Sequence, residues 1–243
     1  CKDRWFRPVD VKLGPDGALY VADSYNRIIG HYEVPLLHPG RDRERGRIWR
    51  IVYKGADAKA TPARGDWANA SVENLVSDLS HPNIAVRHTA THELVKRGGK
   101  EVAAIREVRR PEMLYVLDRL GELGEETLKR AASDKSELLR IHSRRILADR
   151  SKWAEWERSL AVAGLQDDSP HVQRASAEAL GLHPDVAHLS PLLALRHRVP
   201  ETDTHLLHTV RLALRNQLRT SEAWKVMTAK KDRAVLADVA LGV

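Results

Sequence analysis

The apolar residues of this 243-residue chain change their period once, and that change limits the fold more than any single motif. Up to about residue 55 they alternate. Val9, Val11 and Leu13 are separated by Asp10 and Lys12, the pattern of a half-buried strand. From about Val72 onward they recur at helical spacing, with no further strand signal. The expectation is a mainly α chain. Strands are confined to residues 1–55, a polar linker bearing Gly, Pro and Asp covers 56–71, and helices cover 72–243.

Four strands are expected in the first segment. Gly14-Pro15-Asp16-Gly17 places Pro and Asp where a tight turn wants them, and Gly where positive φ is needed. Leu19 and Val21 then share one side, with Tyr20 on the other. Asp23-Ser24-Tyr25-Asn26 is a second polar turn. Residues 27–34 make a third strand, residues 35–46 a long loop, and residues 47–53 a fourth strand. Such a sheet cannot close or bury both faces alone. Together with a first residue, Cys1, that is not methionine, this predicts a fragment of a larger protein, cut inside a domain.

The helical segment repeats internally. Its frame is an apolar residue, a polar or basic one in most copies, and a leucine eight positions after the first. Val86-Arg87 with Leu94 fits, as do Leu139-Arg140 with Leu147, Val172-Gln173 with Leu180, and Leu206-Leu207 with Leu214. Glu112 with Leu120 is a looser copy. Each copy follows another apolar helix and a turn such as Ser80-His81-Pro82 or Asp167-Asp168-Ser169-Pro170, where a capping residue precedes Pro at the first helical position. Paired helices with this turn, followed by Val172-Gln173-Arg174, resemble HEAT repeats. The resemblance implies a curved α-solenoid in which each pair buries its apolar stripe against its neighbours.

The first segment carries a second resemblance. Arg7-Pro8-Val9-Asp10-Val11, Gly14-Pro15-Asp16-Gly17-Ala18-Leu19-Tyr20-Val21-Ala22-Asp23 and Asn26-Arg27-Ile28 together resemble an NHL-type or glucose-dehydrogenase-type propeller repeat. The run from Gly30 to Ile51 is similar to the propeller end of the membrane-bound dehydrogenases of planctomycetes and verrucomicrobia. Those proteins continue into helical repeats and then a haem domain. The resemblance therefore implies a HEAT-like α-solenoid preceded by a single four-stranded antiparallel β-propeller blade. It further implies a periplasmic or extracytoplasmic parent that oxidises a sugar-like or alcohol substrate with a quinone-type cofactor and passes electrons to haem c. The expected partners are neighbouring blades, a downstream haem domain, and a protein on the solenoid. This chain departs from the pattern, because Cys1 is its one cysteine and a Cys-x-x-Cys-His attachment needs two. The chain alone is expected to be inactive and to hold no cofactor.

Charge narrows the rival readings. The formal charge is +7, and residues 1–55 carry 11 Lys and Arg against 7 Asp and Glu. The helical part is thus close to neutral, which argues against a HEAT-type nucleic-acid binder. A non-enzymatic protein-interaction scaffold remains the main alternative. No apolar run approaches the ~20 residues of a membrane span.

Candidate site residues come from the strand segment. Propellers bind ligands where loops from one edge converge. Arg7, Asp23 and Arg27 would supply charge there, and Tyr25 a stacking or hydrogen-bonding group. The basic run Arg41, Arg43, Arg45, Arg47 and Arg50 is read as solvated, with an anionic partner as the alternative, and Arg41, Arg43 and Arg45 are assigned to the opposite edge. His88 with His92, and His205 with His208, have helical spacing for a metal pair, but they fall off the apolar stripe and lack a third ligand, so no metal site is expected. Trp153 and Trp156 are expected to pack between repeats.

Overall fold

A computed structural model describes residues 2–28, 33–55, 63–98, 105–107, 109–220, 223 and 230–242. The chain forms two compact units, Cys1–Arg97 and Gly98–Val243. Ten α-helices and one antiparallel sheet of three strands lie among the described residues.

The first unit holds the sheet: β1 (Pro8–Leu13), β2 (Leu19–Asp23) and β3 (Arg47–Ile51), in that spatial order. Gly17, at φ 79°, closes the β1–β2 turn in the left-handed region that glycine tolerates. The expected four-stranded meander is corrected at one point. β2 has β1 on one edge and β3 on the other, so residues 27–34 do not lie between them. Arg27, Ile28, Glu33 and Val34 are outside any strand, and 29–32 lie outside the described residues. The carbonyls of this stretch find other donors. Arg41 donates to Val34 O at 2.7 Å and Pro35 O at 3.1 Å, and Arg43 donates to Leu36 O. Arginine side chains thus satisfy carbonyls at the end of this stretch and just beyond it.

Directly opposed residues share a face. Val11, Val21 and Trp49 form one row, and Leu13, Leu19 and Ile51 the next. Lys12, Tyr20 and Arg50 stand on the other face. The same unit ends in α1 (Val72–Asp78) and α2 (Ile84–Arg97). Asn83, just ahead of α2, donates to Gly14 O at 2.8 Å.

The second unit is helical throughout: α3 (Pro111–Arg119), α4 (Glu125–Ala132), α5 (Glu137–Asp149), α6 (Glu155–Ala163), α7 (Pro170–Leu182), α8 (Leu189–Arg198), α9 (Thr204–Gln217) and α10 (Lys230–Gly242). α5, α7 and α9 pack side by side, and α4, α6 and α8 each pack against the helix that follows. Residues 101–104 and 108, where a helix was expected, lie outside the described residues, as does most of 221–229.

The repeat frame is visible in burial. Val86, Leu94, Leu139, Leu147, Val172, Leu180 and Leu214 are all buried. The looser copy is corrected by one residue. Met113, not Glu112, holds the first frame position, and Leu120 is only half-buried. α3 ends at Arg119, so the eighth position after Met113 falls on Gly121, already in the left-handed region at φ 73°.

The frame's second position has a shared role. Arg87 donates to His81 O at 2.9 Å, Arg140 to Asp134 O at 3.0 Å and Gln173 to Asp167 O at 2.6 Å. Each reaches a carbonyl six residues earlier, in the turn before its own helix. Arg140 also grips the Asp167 carboxylate at 2.9 and 3.1 Å, tying one helix pair to the next. Burial would raise the Asp167 carboxyl, but this guanidinium and the Ser169 N–H hold it below the usual aspartate value.

α7 and α9 approach closely because Gly181 lacks a side chain. A Cβ there would lie 3.0 Å from Ala213 Cα. The buried amide of Gln217 fastens the same junction. It donates to Leu180 O at 2.9 Å and accepts from Asp185 N at 2.8 Å.

Candidate functional site

The predicted site residues gather at the end of the sheet where β1 begins, β2 ends and β3 begins. Pro8 pairs with Asp23, and Asp23 with Arg47. Asp23 is 3% exposed. Its Oδ1 accepts from Arg7 N at 2.7 Å and Tyr25 N at 2.8 Å, and its Oδ2 from Trp49 Nε1 at 2.9 Å. Burial alone would push this carboxyl up, but the Trp49 indole and the two backbone N–H groups hold it below its ordinary value. Asp23 is therefore the knot that ties three strand ends together.

Tyr25 sits at φ 43°, uncommon for a residue with a side chain. That backbone carries its ring to 5.5 Å from Trp5 and places it under Arg47, whose guanidinium lies 3.3 Å from the ring centroid. Arg47 also lies 5.6 Å from Trp49 and 3.7 Å from Asp3. Arg7 turns its guanidinium to Phe6 O at 2.8 Å. Of the four predicted residues, Arg7, Asp23 and Tyr25 are brought together, and Arg27 stands exposed beside them. Their polar groups are engaged mainly with the protein itself.

The assignment of edges is corrected. β2 and β3 are joined directly by residues 24–46, so the Asp23 turn and Arg41, Arg43 and Arg45 share one end of the sheet. Asn26 Nδ2 donates to Asp42 O at 2.8 Å across this loop. The turn at Gly14–Gly17 lies at the other end, where Arg50 pairs with Asp16 at 2.8 Å. The basic run is not simply solvated either. Arg41 and Arg43 hold loop carbonyls, and Arg45 lies 3.6 Å from Asp42. Sequence reasoning missed Arg47 and Trp49 as members of this cluster, because only the β2–β3 register brings them to Asp23.

The sheet offers something other than a pocket. Val11, Trp49 and Ile51 are 53%, 41% and 54% exposed, and Leu13 and Leu19 are exposed beside them. These residues share one face, and neither outer strand has a further partner among the described residues.

In the helical part, His88, His92, His205 and His208 are all exposed. Among the described residues no group of three or more His, Cys, Asp or Glu is placed to hold a metal ion. Trp153 packs between helix pairs. Its ring stacks on His183 at 4.0 Å, and its Nε1 donates to Leu147 O at 2.8 Å. His188 lies 6.0 Å from Trp153 and is buried, with neither ring nitrogen hydrogen-bonded. Burial pushes its pKa down against the pull of Asp185. Arg144 is buried between α5 and its neighbours, and desolvation lowers it to about 10.

The model of a family described as a domain of unknown function, DUF7133, matches residues 1–55. That span contains the whole sheet. No curated protein matches the chain. No helix among the described residues is long and apolar enough to cross a membrane.

Proposed function

We propose that this chain is a non-catalytic scaffold in which the sheet seats against further sheets and the helical unit is a HEAT-like solenoid that engages protein. The observation that carries the reading is the exposed apolar face of Val11, Leu13, Leu19, Trp49 and Ile51, on a sheet whose outer strands have no further partner among the described residues. Apolar area of this kind marks a contact surface, and open strand edges accept neighbours. The three hydrogen bonds that Asp23 accepts support the same reading, because they commit its carboxylate to the protein itself.

The resemblance to membrane-bound dehydrogenases adds a setting. The scaffold would hold a propeller that oxidises a sugar-like or alcohol substrate next to a haem domain, outside the cytoplasm. The residues of this chain do not fit haem c, since one cysteine cannot supply two thioether bonds. They do not fit a quinone-type cofactor either, since Arg7, Arg47 and the Asp23 carboxylate are turned on the protein itself. No redox step is assigned to them.

The test uses the whole chain. Sedimentation velocity should show association that grows with concentration, and Val11→Lys with Ile51→Lys should abolish it while helical circular dichroism is unchanged. The sheet amides should exchange hydrogen far faster than those of α5 and α7. A chain that stays monomeric to its solubility limit, with sheet amides as protected as the helices, would overturn the reading. So would oxidation of a sugar or alcohol by this chain alone with an artificial electron acceptor.

A further inference from the structure

An open groove of about 420 Å³ runs over α5, α7 and α9. It lies within the second unit. Arg145 of α5 and Arg174 of α7 stand in its wall, with Glu178, and the exposed Leu182 and the half-buried Leu212 add apolar surface.

The two arginines differ from their neighbours. Most arginines of this unit are committed: Arg109 to Asp134, Arg140 to Asp167, Arg150 to Asp118 and Glu157, Arg158 to Asp185 and Arg196 to Glu201. Arg145 and Arg174 make no hydrogen bond or ion pair among the described residues. The neutral polar groups of the groove are engaged internally. Asn216 Nδ2 donates to Gly181 O at 3.0 Å, and Thr209 Oγ1 to His205 O at 3.0 Å. What the groove leaves for a ligand is two guanidinium groups, one carboxylate and an apolar wall.

We infer that this groove binds an acidic peptide segment, with carboxylates on Arg145 and Arg174 and an apolar side chain against Leu182 and Leu212. Guanidinium forks match carboxylates in a bidentate geometry, and both arginines are left with that capacity. The Glu178 carboxylate can accept a peptide N–H, which a phosphate backbone lacks, and Leu182 and Leu212 offer apolar contact that a phosphate backbone does not use. That combination favours peptide over nucleic acid. The inference rests on the helical unit being an interaction scaffold, and it names the class of partner and the site.

The test is fluorescence anisotropy with the full chain and a short labelled peptide of alternating glutamate and leucine. Binding should be saturable and should weaken as salt rises. Arg145→Glu with Arg174→Glu should weaken it by about tenfold or more, the scale on which charge pairs at interfaces act. Arg219→Glu, an exposed arginine outside the groove, should leave it unchanged, and circular dichroism should show all variants folded. Absence of binding, or equal loss with Arg219→Glu, overturns the inference. A labelled single-stranded oligonucleotide that binds more tightly, with the same sensitivity to Arg145 and Arg174, overturns it in favour of nucleic acid. A lysine–leucine peptide that binds while the glutamate–leucine peptide does not removes this site but leaves the scaffold reading. Failure here with concentration-dependent association of the sheet intact has the same meaning.

Discussion

Gln217→Leu isolates one polar clasp of the helical unit. The side chain is fully buried, and leucine matches its bulk without its amide. The substitution strands Leu180 O, otherwise bonded at 2.9 Å, and Asp185 N, bonded at 2.8 Å. A buried donor or acceptor left without a partner costs about 1–3 kcal/mol. Leu180 O is deep in the α7–α9 junction and should bear most of that. Asp185 is half-buried, so water can replace part of its lost bond. Leucine recovers some apolar burial. The net expectation is a loss of about 2–4 kcal/mol, lowering Tm by about 2–4 °C per kcal/mol for a unit of this size. Denaturant titration of the whole chain, followed by helical circular dichroism, measures it. Asn216→Ala is the control, since its amide bonds Gly181 O from a half-exposed position, and it should cost about 1 kcal/mol or less. A Gln217→Leu loss below about 0.5 kcal/mol, the range of ordinary surface changes, would show that the clasp does not hold the junction.

Two further outcomes follow from burial and charge. Leu180→Ala should cost about 2–5 kcal/mol because Leu180 is fully buried, whereas Leu182→Ala, at 58% exposure, should cost under about 1 kcal/mol; equal effects in calorimetry would undo the burial assignment. Burial holds His188 below its unfolded value, so folding favours its neutral form. Its contribution to stability is present above about pH 6.5 and is lost as the pH falls from there toward the folded value. His188→Phe should flatten the acid limb of stability measured against pH. His142, lowered by burial in the same direction, should account for part of the slope that remains. An unchanged limb in His188→Phe would show that this histidine is not the group titrating.

Much of the helical part was legible because it is local. Val86, Leu139 and Val172 begin a stripe that repeats along one helix face, and burial obeys that stripe wherever the helix is long enough. It slipped by one residue at Met113, where α3 is too short to carry the full frame. The sheet was less legible because strand order is not written in a strand's own period. Residues 47–51 read as a strand, but nothing in their alternation says that their neighbour is Leu19–Asp23 and not residues 27–34. Asp23 could be read either way, as ligand-facing charge or as a turn residue. The spacing Asp23-Ser24-Tyr25 already allowed the second, since an aspartate commonly accepts the N–H two residues on, and the structure shows that bond. The groove on α5, α7 and α9 had no sequence signal, because only the fold sets Arg145 and Arg174 apart from paired arginines such as Arg140.

The register of β2 with β3 makes residues 24–46 an excursion that leaves and returns at one point. Asp23 sits opposite Arg47 at its base, and the bonds of Asp23 close that base independently of what the excursion contains. Where an insertion spares the bonds that Arg41, Arg43 and Asn26 make within the excursion, its cost is mainly the entropy of closing a chain whose ends are already pinned, about 0.6 kcal/mol for each doubling. New sequence would therefore cost least within that excursion, away from the carbonyls that Arg41 and Arg43 hold, because the strand pairs on either side of its base do not depend on its length.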